Sequence, residues 1–254
     1  MATVDLSKAP KVNLTKGQTV NLTKDGTSNT ANLTNVFFGA KWGQINHRTK
    51  KTVQKKVQVG TKEPEGFFGK LFGIRKPIYE TRAEEVLVSR YTESVDLDAS
   101  LLLYDSNKSL IDAVYFGHRH SNDGAISHSG DDLHGTSGSE QEQDNETISI
   151  DLTRVTSRAQ FIVAILNSYQ HHKFDQIPYM KLRIYTGRAG RPEEVLCAYN
   201  LENNSSFIGK EAIVLGYFYR SGNGWKFKAD GTTSKETSIS AIARGSALEV
   251  IRKH

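Results

Sequence analysis

Cysteine is nearly absent: the 254 residues contain one, Cys197, so no internal disulfide can form and a small disulfide-stapled scaffold is excluded. A reducing cytoplasm is the expected compartment. Proline is scarce as well, with 5 in the whole chain, which excludes a proline-rich spacer. The longest unbroken apolar run, Phe161 to Leu166, falls far short of the roughly 20 residues that cross a bilayer. Met1 is followed by Ala-Thr-Val-Asp rather than by a basic and then an apolar stretch, so no secretion signal is expected. Catalytic and nucleotide signatures are missing too. There is no Walker A loop, no Gly-x-Gly-x-x-Gly after a strand, no His-Glu-x-x-His and no Gly-x-Ser-x-Gly elbow. Cys197 lies between Leu196 and Ala198 in a strand-like run and reads as a small core residue, not a nucleophile. No enzyme is expected.

What the chain does have is enough apolar content, 37%, to build a core, and charge that is sharply segregated. Its formal net charge is only +5. From Lys41 to Arg90, however, 12 Lys and Arg face 5 Glu, a net of +7, whereas Ser121 to Asp151 carries 8 carboxylates and no Lys or Arg. Eight uncompensated carboxylates in a Gly/Ser-rich stretch repel one another unless they are spread in water or share a multivalent cation.

Apolar clusters are short, rich in Val, Ile, Phe and Tyr, and bounded by Gly, Asn, Asp or Ser, which predicts strands. They fall near Thr19–Leu22, Leu33–Ala40, Val86–Tyr91, Val95–Tyr104, Ile111–Phe116, Thr147–Leu152, Gln160–Leu166, Tyr179–Tyr185, Val195–Asn200, Ala212–Tyr219 and Gly224–Lys228. Their number and spacing predict an all-β chain: a β-sandwich of two mostly antiparallel sheets with a few short helices. Helix signals are confined to Ser157–Gln160, Tyr169–Phe174 and Ser238–Ile251. One domain over residues 1–254 is expected, interrupted by a basic insertion at about 43–90 that reads as a β-ribbon or loop. Within it Phe67, Phe68, Leu71 and Phe72 either pin the insertion onto the core or, beside lysines, serve an anionic membrane surface or a nucleic acid. Of these, anchoring to the core agrees best with burial preferences.

The acidic stretch holds the candidate chemistry. Gly130-Asp131-Asp132-Leu133-His134-Gly135 and Asp144-Asn145-Glu146 set hard oxygen donors on glycine-permitted turns, and calcium takes six to eight oxygens at about 2.3 to 2.6 Å. Asp96 and Asp98, two residues apart on one strand face, are further donors. An EF-hand is excluded, because a loop starting at Asp105 has Leu110 where Gly is required and Phe116 where Glu is required. A solvated acidic loop is the alternative. His118 and His120 also share a strand face, but neither carboxylate nor cysteine stands at supporting spacing for a transition metal.

Taken together, Val12-Asn13-Leu14-Thr15-Lys16-Gly17-Gln18-Thr19-Val20, Val95-Asp96-Leu97-Asp98-Ala99-Ser100, the Gly130–Gly135 loop, Asp144-Asn145-Glu146-Thr147-Ile148, and Tyr219-Arg220 with Gly224-Trp225-Lys226-Phe227 resemble the TerD-type tellurium-resistance and bacterial stress protein family. The likeness covers roughly residues 11–40 and 95–230 and omits the basic insertion. It implies a sandwich that binds one or two Ca2+ ions through Asp96, Asp98, Asp131, Asp132, Asp144, Asn145 and Glu146. Asn145 stands where the family usually has Asp, and the spacing from Gly135 to Asp144 is longer than usual, which leaves Glu140 and Glu142 as substitutes. The last segment, from about 231 to 254, departs from the family's ending. The function implied is that of a calcium-binding, non-enzymatic stress or defence protein, a calcium-ordered scaffold for other proteins, cytoplasmic or peripheral at the inner face of the membrane. The alternative is nucleic-acid or anionic-membrane binding through the basic insertion.

Overall fold

The computed structural model describes residues 12–13, 19–21, 34–73, 75–136, 143–200 and 205–254. Glu140 and Glu142 lie outside the described residues, as does the side chain of Cys197. In chain order the first strands are β1 (Val12–Asn13), β2 (Thr19–Asn21), β3 (Asn35–Trp42), β4 (Ile45–Lys62), β5 (Lys76–Glu93), β6 (Leu97–Tyr104) and β7 (Leu110–Val114). They are followed by β8 (Ile126–His128), β9 (Glu146–Asp151), β10 (Phe161–Ser168), β11 (Met180–Arg188), β12 (Arg191–Asn200), β13 (Ala212–Ser221) and β14 (Gly224–Thr233). Two six-stranded sheets result, ordered β1-β12-β11-β3-β9-β8 and β2-β14-β13-β10-β6-β7, with β4 and β5 forming a ribbon of their own. The β1–β12 pairing is parallel; β3–β9, β3–β11, β6–β10, β10–β13 and β13–β14 are antiparallel.

Alternation divides the buried residues between two layers. Val36, Phe38, Ala40 and Trp42 of β3 and Ile148 and Ile150 of β9 meet Leu97, Ala99, Leu101 and Leu103 of β6 and Ile162, Ala164 and Leu166 of β10 between the sheets. The odd-numbered partners on β10 and the even-numbered ones on β6 point the other way. Leu102, Tyr104, Phe161, Val163, Ile165, Val214 and Tyr217 pack under α2 (Ile239–Arg244) and α3 (Ser246–Arg252). Strands β6 and β10 are therefore buried on both faces, which is why they read as nearly continuous apolar runs.

Two of the three helix expectations are corrected. Residues 157–160 form no helix: the Ala159 amide makes a single turn onto the Thr156 carbonyl at 3.0 Å, the Gln160 amide leaves for the Tyr104 carbonyl at 2.8 Å, and the Arg220 guanidinium takes the carbonyls of Val155, Thr156 and Ala159 at 2.8 to 3.1 Å. Tyr169–Phe174 is broken by His171 in the left-handed region, φ 64°, and only a 3-10 turn, Phe174–Gln176, follows it. The expected Ser238–Ile251 helix exists as α2 and α3, divided at Gly245. Ser238 caps α2, its hydroxyl accepting from the Ala241 amide at 3.4 Å. Ser238→Ala is expected to cost about 1 kcal/mol, read as a lower denaturant midpoint with an unchanged slope.

Residues Asn46–Glu93 form a separate compact unit. It is the β4–β5 ribbon, two strands of 18 residues joined through α1 (Gly66–Phe72). Ion pairs Lys50–Glu85 at 3.0 Å and Lys55–Glu84 at 3.1 Å cross it, and the His47 ring stacks on Tyr91 at 4.5 Å. Exposed ion pairs of this kind contribute little each. Val86–Tyr91, expected as an isolated strand, belongs to this ribbon. Phe67, Phe68, Leu71 and Phe72, expected to be buried, are all exposed in this unit.

Candidate metal centre

The carboxylates gather where the start of β6 meets the start of β9, at one end of the sandwich. Asp96 precedes β6 by one residue, Asp98 lies in it, and Asp131 comes from the loop after β8. One oxygen from each lies within 4.8 Å of the others. Asp96 and Asp98 are buried and Asp131 is exposed, so the cluster opens to solvent on the loop side.

Glu146, fully buried, lies behind the cluster. Its Oε2 accepts from the Ala99 amide at 2.8 Å and lies 3.3 Å from His128 Nε2, and its Oε1 accepts from the Asp132 amide at 3.4 Å. His128 Nδ1 accepts from the Gly130 amide at 3.0 Å, so the ring proton sits on Nε2, between Glu146 and the Ala99 carbonyl. One carboxylate thus fastens the first sheet to β6 and, through His128 and Asp132, to the acidic loop.

Asp132 and Asn145 shape that loop. Asp132 Oδ1 accepts from the amides of His134 and Gly135 at 2.9 and 3.0 Å, and its Oδ2 accepts from Asn145 Nδ2 at 2.8 Å. Asn145 also donates to Thr136 Oγ1 and accepts from the Trp42 amide at 2.8 Å, so its amide group is fully engaged. Gly135, φ 75°, lies over the Trp42 ring, where a Cβ would stand 2.9 Å from Cδ1. The indole in turn donates to the Val95 carbonyl at 2.8 Å, next to Asp96.

Asp144 is not brought to the cluster. It lies on the opposite face of the first sheet, over Gly39, with Arg183 Nε and Nη2 on its Oδ1 at 2.9 and 2.8 Å. Of the seven expected ligands, then, three converge and Glu146 stands behind them. Asp132 and Asn145 organise the loop, and Asp144 is occupied elsewhere.

Burial and like charges raise the pKa values of the converging pair and make both weaker acids. Burial first, then Glu146, Asp96 and Asp131, push the Asp98 carboxyl up to about 7. Burial and then Asp131 push Asp96 up to about 6. Glu146 is raised by burial against the opposing hydrogen bond from His128. Among the described residues four buried side-chain oxygens have no hydrogen-bond partner; Ser100 Oγ and Asp144 Oδ2 are two of them, and the two at the cluster are Asp96 Oδ1 and Oδ1 of Asn167, whose Nδ2 donates to Asp98 Oδ2 at 3.1 Å. An all-oxygen donor set with orphaned buried lone pairs fits a hard divalent cation and not a soft one.

Asn167 and His128 were not found by sequence reasoning. Asn167 terminates the apolar run of β10, and only the strand register, which sets it opposite Asp98, gives it a role. His118 takes no part: it stands 3.5 Å from Asp112, away from the acidic cluster.

The family model of the TerD domain matches residues 74–245, about two thirds of the chain. The chain belongs to the TerD family. The chain is 30% identical over 183 residues to the stress response protein SCP2 of Bacillus subtilis (strain 168), covering 70% of this chain and 79% of that protein. It is 29% identical over 160 residues to the tellurium resistance protein TerZ of Serratia marcescens, covering 63% and 77%. The crystal structure of a homologue of the telluride resistance protein TerD from Streptomyces coelicolor A3(2) shares the fold, with a TM-score of 0.53 at 15% identity over 83% of this chain and 95% of that one. No described helix of this TerD-family chain is long and apolar enough to cross a membrane.

Proposed function

We propose that this TerD-family protein binds calcium at Asp96, Asp98 and Asp131 and acts without catalysis, as a scaffold whose acidic loop is ordered by the ion for contact with other proteins. One or two ions and a place in the cytoplasm, or at the inner face of the membrane, complete the reading. The observation that carries it is the convergence of three carboxylates, one of them with an orphaned buried oxygen, Asp96 Oδ1. Asn167 Oδ1 is a neutral donor beside Asp98, and calcium accepts such mixed oxygen sets. The bound ion would supply positive charge where Asp96, Asp98, Asp131 and Glu146 otherwise repel one another. The loop from Ser129 to Thr136, whose ends are already tied to His128 and Asn145, is the surface it would order.

Calorimetric titration of the metal-stripped full chain with calcium tests this. Saturable binding is expected, lost when Asp98→Asn and Asp131→Asn are combined and kept with Asp144→Asn. Absence of heat from the unaltered protein at several temperatures, with no change in melting, sinks the reading.

A further inference from the structure

The β4–β5 ribbon is the part of the chain for which the calcium reading finds no use. Each strand has 18 residues, about 60 Å when extended, and the ribbon ends in the seven-residue α1, about 10 Å long. Four large apolar side chains are held at that end in water: Phe67 is 77% exposed, Phe68 70%, Leu71 63% and Phe72 69%. Single exposed hydrophobes need no explanation, but four contiguous ones on one turn and a half of helix do.

Their arrangement and their neighbours narrow the occupant. Helical spacing sets Phe67, Phe68, Leu71 and Phe72 within an arc of about 140°, with Lys70 on the remaining side. Lys62, Arg75 and Lys76 flank the helix. The two nearby acids are answered locally, Glu65 by Lys62 at 2.5 Å and Glu63 by Arg75 at 3.4 Å. No carboxylate pairs with Lys70 or Lys76 among the described residues. Tyr79, 54% exposed, follows two residues after Pro77, in the position of an interfacial aromatic. A stable protein partner needs about 800 Å² from each side with complementary shape, more than a seven-residue helix presents. A bilayer requires no matching shape. It accepts a small apolar wedge, and its anionic headgroups complement lysines set just behind that wedge.

We propose that the α1 tip is a membrane wedge for anionic bilayers, in which Phe67, Phe68, Leu71 and Phe72 enter the acyl boundary and Lys70 and Lys76 lie among the headgroups. Insertion does not use the acidic cluster, so it is independent of calcium.

The test uses the full chain in the presence of a calcium chelator. Sedimentation is measured with vesicles of phosphatidylcholine mixed with phosphatidylglycerol, and with phosphatidylcholine alone. Binding is expected to the first and to be about tenfold weaker to the second and at high salt. Phe67→Ser combined with Phe72→Ser should weaken it by about a hundredfold without changing the melting temperature, since both residues are exposed. Lys70→Glu combined with Lys76→Glu should weaken it about tenfold while leaving the apolar tip intact. A Phe68→Trp reporter should shift its emission to the blue only when anionic vesicles are added, against the constant background of buried Trp42 and Trp225. Absence of vesicle binding overturns the proposal, as does binding that the Phe67/Phe72 variant keeps. A blue shift that grows with protein concentration in the absence of vesicles assigns the tip to a second copy of the chain and overturns it equally.

Discussion

Saturating calcium is expected to raise the melting temperature of the metal-stripped protein by about 5 to 10 °C, and magnesium by much less. A ligand that binds only the folded state at a hundredfold excess over its Kd contributes about 2.7 kcal/mol. For a chain of this size each kcal/mol moves the midpoint by about 2 to 4 °C. Magnesium holds its water and demands rigid octahedral geometry, which three carboxylates on a strand and a loop do not impose. The pH dependence of the metal-free protein gives the same reading a second, sharper form. Asp98 rises from 3.8 to about 7 and Asp96 to about 6 on folding, facing Asp131, Asp132, Glu146 and His134, with Asn167 and His128 as the neutral or basic neighbours. Between about pH 4 and 7 the folded state therefore binds more protons than the unfolded one. A raised carboxylate contributes its stability at low pH and loses it as pH rises through the folded value, so the metal-free midpoint should fall from pH 5 to pH 8 and level off above 7. Calcium replaces those protons and should remove most of the slope. Combining Asp98→Asn with Asp131→Asn removes the repulsion along with the ligands. Above pH 7 that variant should melt above the metal-free parent and show no response to calcium. A metal-free midpoint that is flat from pH 5 to pH 8 contradicts the electrostatic account even if calcium binds.

The strands that the sequence marks best are those buried on both faces. Val95–Tyr104, Gln160–Leu166 and Ala212–Tyr219 are found as β6, β10 and β13 within a few residues, because a helix layer on one side and a second sheet on the other leave no polar position to interrupt the run. The three-residue β8 was missed: Ile126-Ser127-His128 is too short to show alternation, and its partner β9 alone defines it. The insertion reads in sequence as a β-ribbon or a loop, with no bounds for β4, and the ribbon is what forms. Its strands bury nothing, so Lys50, Lys51, Lys55 and Lys56 gave β4 the composition of a solvated stretch. Within the acidic cluster, spacing along β6 placed Asp96 and Asp98 together. Which acids of the long loop join them was decided by strand register and by competing partners, neither of which leaves a local trace in sequence.

Asp144 is where that distinction can be measured, and Arg183→Ala is expected to be the most damaging single surface-to-core change in the sandwich, at about 3 to 5 kcal/mol. Phe38, Ala40, Leu182 and Ile184 face the core, so Phe37, Gly39, Arg183 and Tyr185 face outward, and there the Asp144 carboxylate is covered. Its side chain is 1% exposed against 18% for Arg183. Burial pushes the pKa of its carboxyl up, and the Arg183 charge, the largest opposing influence, pulls it down. Truncating Arg183 leaves the carboxylate buried with its main counter-charge gone, whereas Asp144→Asn leaves a guanidinium that can turn to water, at a smaller cost. Gly39 belongs to the same arrangement: a Cβ there would stand 2.1 Å from Asp144 Oδ2, so Gly39→Ala should mimic the loss of the pair. If the pair is structural, Arg183→Met with Asp144→Leu recovers much of what Arg183→Ala loses, and the coupling appears in a double-mutant cycle by chemical denaturation. Calcium affinity should be unchanged within about twofold in Asp144→Asn, because an acid on the outer face of the first sheet, held there by Arg183, stands away from Asp96, Asp98 and Asp131. A loss of affinity in Asp144→Asn as large as that in Asp131→Asn would return Asp144 to the metal site and require β9 to enter the loop in a different register.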